Sequence, residues 1–138
     1  MSGKSFPEKA VNQIKNATQY SLDGLRYMLT NEMAARMEFY LFFWGTVLLL
    51  VMGAPARVFL ITTVLFLILI AVEALNTAIE VIIDKISPQI SATGKHAKDL
   101  GSFAVMCLLI VNGIYFINAL INTPRMVDLL AMLSRSSA

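Results

Sequence analysis

Two long stretches of this chain carry no charge, and a third carries almost none. Phe39 to Ala56 lies between Glu38 and Arg57, and Leu100 to Pro124 between Asp99 and Arg125, without an Asp, Glu, Lys or Arg in either. Val58 to Ile83 is apolar apart from Glu73, Asn76, Glu80 and a few threonines. A hydrocarbon core about 30 Å thick takes roughly 20 helical residues, so each stretch can span it once. The chain is therefore read as an all-α membrane protein with transmembrane helices over 36–54, 57–84 and 100–122. Gly53-Ala54-Pro55 ends the first of them.

Composition supports that reading. The 138 residues are 57% hydrophobic and 14% charged, whereas soluble domains run at about 45–50% and about 25%. The length fits a single membrane domain and excludes a conventional soluble kinase, a Rossmann enzyme with a second domain, and a large transporter. Lys+Arg 11 against Asp+Glu 9 is too balanced to indicate a nucleic-acid partner. The single Cys107 permits neither an intrachain disulfide nor a multi-cysteine metal cage, and is read as a packing residue.

The first 36 residues have no continuous apolar run and no cleavage pattern of a signal peptide. Instead Val11, Ile14, Leu22, Leu25 and Met28 recur at helical spacing among polar residues. This predicts an amphipathic surface helix over 9–34, lying at the headgroup level. Lys4, Lys9, Lys15, Arg26 and Arg36 precede the first span, and Lys85, Lys95 and Lys98 separate the second from the third. Only Arg57, Arg125 and Arg135 fall on the other side. That bias places the N-terminus in the cytoplasm and residues 123–138 outside, with a short interfacial helix near Met126–Leu133.

The second span carries the chemistry. With Glu73 at zero on a helical wheel, Asn76 falls near −60°, Thr77 near +40°, Glu80 near −20° and Asp84 near +20°, a stripe roughly 100° wide. An acid near a helix centre opposes insertion by about 2.5–3.5 kcal/mol. Glu73 lies about 16 Å along the helix from Asp84. Helix–helix glue and an ion path are competing readings. Glue rarely repeats acids on one face, and an ion path needs polar groups in the outer half, where Arg57, Thr62, Thr63 and Asn112 are sparse. A reaction on a lipid headgroup fits better. The stripe reaches the cytoplasmic surface, where Asn31-Glu32 and His96-Ala97-Lys98-Asp99 offer a further carboxylate for Mg²⁺ and a cation for phosphate. No glycine-rich phosphate loop is present, so side chains must hold any ATP. Three spans are too few to shield such a stripe on both flanks, so neighbouring chains are expected to cover the Glu73–Glu80 face.

Glu73-Ala-Leu-Asn76-Thr-Ala-Ile-Glu80-x-x-x-Asp84 followed by Ala97-Lys98-Asp99-x-Gly101-Ser102 resembles the prokaryotic integral-membrane diacylglycerol kinase family. Upstream, Tyr20-Ser21-x-x-Gly24-Leu25-Arg26 and Asn31-Glu32-x-Ala34-x-Arg36-x-Glu38 match its pattern in the same order. The resemblance implies a bacterial inner membrane, a periplasmic tail, and a homotrimer of three-span chains, each with an N-terminal surface helix, that transfers the ATP γ-phosphate to diacylglycerol and forms phosphatidic acid. It implies catalytic roles for Glu73 and Asn76, and Mg²⁺ ligands in Glu32 and Glu80. Nucleotide contacts would come from Gln13, Tyr20, Glu32, Glu80, Lys98 and Asp99. Lipid-substrate contacts would come from Arg26, Asn31, Ala34, Glu38, Glu73 and Ser102. Undecaprenol phosphorylation is the alternative within the family, and a non-enzymatic small membrane protein the alternative outside it. The sequence departs from the family at Gln13, where an arginine is common and Lys15 stands nearby. It departs also in the loop Ser87-Pro88-Gln89-Ile90 and in the extra tail beyond Ile121.

Overall fold

A computed structural model describes residues 6–87, 89 and 91–136; Pro88, Ile90 and the last two residues of the tail lie outside that set. Five helices follow in order: α1 (Phe6–Asn31), α2 (Met33–Val51), α3 (Ala56–Ile86), α4 (Ala92–Ile121) and α5 (Pro124–Ser136). Among the described residues there is no strand. Lipid offers no hydrogen-bond partners, so an apolar spanning segment must satisfy its backbone internally, as a helix does. Helices α2, α3 and α4 are each long and apolar enough to cross a membrane. The 31 residues of α3 and 30 of α4 reach about 45 Å, well beyond a hydrocarbon core of about 30 Å. Their ends therefore project, and α4 already carries Lys95, His96, Lys98 and Asp99 on helix before its apolar run begins.

The helix boundaries have local causes. Glu32 alone interrupts α1 and α2, with an extended backbone (φ −103°, ψ 117°). The Arg36 guanidinium turns back and donates to the carbonyls of Leu29 (3.2 Å) and Thr30 (3.1 Å), which α1 leaves open at its end. After α2, the Gly53 N–H donates to Leu50 O and the Ala54 N–H to Leu49 O, a Schellman closure. It requires Gly53 at φ 78°, the one positive φ among the described residues and a conformation that favours glycine. Ser91 caps α4 by accepting from the Gly94 N–H at 3.0 Å. Thr123, fully buried, leads into α5 with Pro124 at its first position, and the Arg125 guanidinium bonds the Val51 carbonyl at the end of α2.

The closest packing is between α3 and α4. Asn112 on α4 donates to its own Leu108 O at 2.8 Å and across to Leu65 O of α3 at 3.4 Å. Helix α2 joins them through Phe42, stacked on Phe66 at 4.0 Å, and Phe39, set edge-on to the same ring at 5.1 Å. The buried set is small. It comprises Met28, Ala35, Leu49, Phe66, Leu69, Val105 and Ala119, beside the polar Glu38, Glu73, Asn76, Thr77 and Thr123. Most large apolar side chains, Trp44 among them, face outward, as lipid-facing residues do. Cys107 is one of the outward-facing residues, so it does not pack inside the chain as its apolar setting suggested.

Candidate active site

Helix α3 presents its polar stripe to α2 and α4, and the environment changes along it. Glu73, Asn76 and Thr77 are buried, with 4%, 8% and 6% of their surfaces accessible. Glu80 is half-buried and Asp84 exposed. A single chain already buries Glu73, Asn76 and Thr77, so cover by a neighbouring chain, expected for the Glu73–Glu80 face, is left to its half-buried end at Glu80.

Glu38 reaches the same region from α2 and is itself buried, with 6% accessible. It lies close enough to Glu73 for the two carboxyls to interact electrostatically, and Glu32 and Glu80 act on Glu73 in the same way. Acids from the α1–α2 break, α2 and α3 thus lie within electrostatic reach of Glu73 or of its neighbour Glu38. Asn76 Nδ2 donates to Glu80 Oε1 at 3.0 Å, along the i to i+4 spacing of the stripe. That bond occupies one Glu80 oxygen. Glu38 Oε2 is buried without a hydrogen-bond partner, and buried polar atoms are seldom left so. Glu38 also lines a cavity of about 460 Å³ among α2, α3 and α4, whose other walls include Phe42, Trp44, Thr46, Leu69 and Asn112.

Nearer the helix ends, the charges pair. Lys98 Nζ on α4 bridges to Asp84 Oδ1 on α3 at 2.5 Å, and Lys95 Nζ to Asp99 Oδ2 at 2.5 Å. Lys98 and Asp99, expected at a nucleotide, are therefore held at the exposed edge of the α3–α4 pair. Ser102 follows on α4, exposed.

The other expected positions lie apart from this cluster. Gln13 and Tyr20 are exposed on α1, lining a groove formed by that helix alone. Arg26, Asn31 and Ala34 are also exposed; the Asn31 amide donates to Tyr27 O and to Thr30 Oγ1, both at 2.9 Å. Two features of the site have no sequence signal strong enough to assign them. Asp84, placed by the sequence only at the end of the polar stripe, is the partner of Lys98. Gly101, quoted only as part of a motif, packs directly against Asn76: a Cβ there would overlap Asn76 Oδ1 and come within 3.1 Å of its Cγ.

The donor chemistry bears on a metal. Among the described residues no three His, Cys, Asp or Glu side chains are grouped to hold one. Mg²⁺ does not need three, since it is commonly held by one or two carboxylates with water and substrate phosphates. Glu32 and the uncommitted Glu80 oxygen suit that pattern.

Three membrane-length helices that enclose an acidic cluster, with paired charges at the helix ends, define a small multi-pass membrane protein with an enzyme-like site. Residues 19–120 match the family described as prokaryotic diacylglycerol kinase. A diacylglycerol kinase of a Sinorhizobium species is 41% identical over 114 residues, covering 83% of this chain and 82% of that protein. Those of Haemophilus influenzae and Escherichia coli K12 are 33% and 38% identical, covering 79% and 72% of this chain and 92% and 81% of theirs. The chain belongs to the prokaryotic diacylglycerol kinase family.

Proposed function

We propose that this membrane enzyme transfers the γ-phosphoryl group of ATP to the free hydroxyl of diacylglycerol, giving phosphatidic acid and ADP. The observation that carries the reading is the burial of two acids, Glu73 on α3 and Glu38 on α2, with Asn76 bonded to Glu80 further along the same stripe. Glu38 Oε2, with no protein partner, accepts a hydrogen bond from the glycerol end of the lipid, and an acyl chain occupies the adjoining cavity. Glu73 takes the proton of the attacking hydroxyl as its oxygen bonds to phosphorus and the bond to the ADP oxygen breaks. Catalysis of such a transfer is mostly positioning and charge neutralisation. Lys98 and Asp99 hold the nucleotide at the exposed edge. Glu32 and Glu80 would hold Mg²⁺, which neutralises phosphate charge when bound.

The same reading places the N-terminus and the Lys95–Asp99 segment in the cytoplasm, where ATP is available, and α1 at the inner-membrane surface. It also implies a homotrimer. The α1 positions Gln13 and Tyr20 do not meet the α3–α4 cluster of their own chain, and a neighbouring chain can bring them to it.

Purified protein in mixed micelles with labelled ATP, Mg²⁺ and either diacylglycerol or undecaprenol tests the function. Labelled phosphatidic acid is the expected product. Labelling of undecaprenol alone, or of neither lipid, overturns the reading.

A further inference from the structure

Gly101 of α4 lies directly against the Asn76 side chain of α3. The amide oxygen Oδ1 occupies the space that any larger residue would fill with its Cβ, and the Asn76 Cγ and Cβ would stand 3.1 and 3.7 Å from that atom. Oδ1 is buried and accepts no hydrogen bond. The opposite end of the same amide, Nδ2, points at Glu80 Oε1 at 3.0 Å. Asn76 has three heavy side-chain atoms beyond Cβ in one plane, so seating Oδ1 against the glycine fixes where Nδ2 points.

Helix α4 cannot easily move away to accommodate a larger residue. On one side of Gly101, Lys98 of α4 is bridged to Asp84 of α3, and Gly94 packs against Ile83 of α3. On the other, Asn112 bonds the Leu65 carbonyl of α3. A methyl group at position 101 is therefore relieved by rotation of the Asn76 side chain, which takes Nδ2 off Glu80. We infer that Gly101 is a positioning residue. By lacking a side chain it seats the Asn76 carboxamide, and through it orients the Glu80 carboxylate for a phosphate-bound divalent cation. The inference rests on the reading of Glu80 as a cation-holding carboxylate.

The test uses the full-length protein in micelles and two readouts. The first is the side-chain amide NMR resonance of Asn76 without nucleotide or metal, assigned by its loss in Asn76→Ala. The second is calorimetric affinity for a non-hydrolysable ATP analogue with and without Mg²⁺. Gly101→Ala should move the resonance and weaken the Mg²⁺-dependent affinity by about tenfold, the usual cost of losing a group that orients a metal ligand. In an Asn76→Ala background, where the collision is gone, Gly101→Ala should change that affinity by less than about twofold, since sites that act through one contact are not additive. If Gly101→Ala fails to fold but Gly101→Ala with Asn76→Ala folds, the collision is confirmed. An unmoved resonance, equal losses in both backgrounds, or failure of both variants to fold overturns the inference. Full Mg²⁺-dependent binding by Glu80→Gln would instead sink the reading of Glu80, leaving the resonance arm to stand or fall alone.

Discussion

The inner and outer parts of the α3 stripe each carry an acid, but the two acids live in different surroundings. At the inner part Glu73, Asn76 and Thr77 are buried against α2 and α4, with a second buried acid, Glu38, alongside. At the outer part Asp84 and Lys98 form a 2.5 Å pair whose side chains are 66% and 34% exposed. Charges interact far more strongly away from water than at a wet surface. The inner acids are therefore suited to chemistry and costly to disturb, whereas the outer pair positions charge with little effect on stability. Glu80, half-buried between them and tied to Asn76, joins the two parts.

The largest effect should come from the inner part. Glu73→Gln keeps size and shape but removes the proton acceptor, so turnover should fall on the order of 10²–10⁴-fold, read as the initial rate of phosphatidic acid formation at saturating ATP. A loss under tenfold would move the base elsewhere, with Glu38 the next candidate.

Glu38 should show a smaller effect and an opposite one on stability. Glu38→Met removes a buried carboxyl whose Oε2 has no partner. Thermal unfolding in micelles should show a gain of about 1–3 kcal/mol, the penalty attached to such a group. The KM for lipid should rise about tenfold, the worth of one charge-assisted hydrogen bond, with the KM for ATP unchanged. Lower stability and an unchanged lipid KM would show that Glu38 serves packing alone.

The inner part of the stripe was the more legible one in the sequence, for a physical reason. An acid inside an apolar run is expensive, so Glu73, Asn76 and Glu80 at helical spacing announced one face of one helix. The same reasoning found the three spans. It did not find where α4 starts or where α1 gives way to α2, because absence of charge marks the hydrocarbon and not the helix. Thus α4 starts at Ala92, capped by Ser91, and carries Lys95 to Asp99 as helix. The break at Glu32 bears no Gly or Pro and owes its closure to Arg36, four residues on. Glu38 marked the edge of an uncharged stretch, and only tertiary packing turns it inward beside Glu73. Gly101 against Asn76 is likewise a contact between helices, which no local pattern encodes.

The smallest effect belongs to the outer part. Asp84→Asn breaks an exposed pair and should change unfolding stability by only about 0–1 kcal/mol. The KM for ATP should rise about twofold to fivefold as Lys98 loses its fixed position, and the difference from the wild type should shrink as salt screens the pair. A stability loss above about 2 kcal/mol would show that the pair is far less solvated than its exposure indicates.

The central claim is that depth along one stripe divides the work, with Glu73 serving proton transfer and Glu80 holding the metal–nucleotide end. Isothermal titration of Glu73→Gln and Glu80→Gln with a non-hydrolysable ATP analogue and Mg²⁺ tests it most directly. The predicted result is near wild-type affinity for Glu73→Gln and a loss on the order of tenfold or more for Glu80→Gln, which lacks a carboxylate for the cation. Lost binding in Glu73→Gln with intact binding in Glu80→Gln would contradict the account and reverse the two roles.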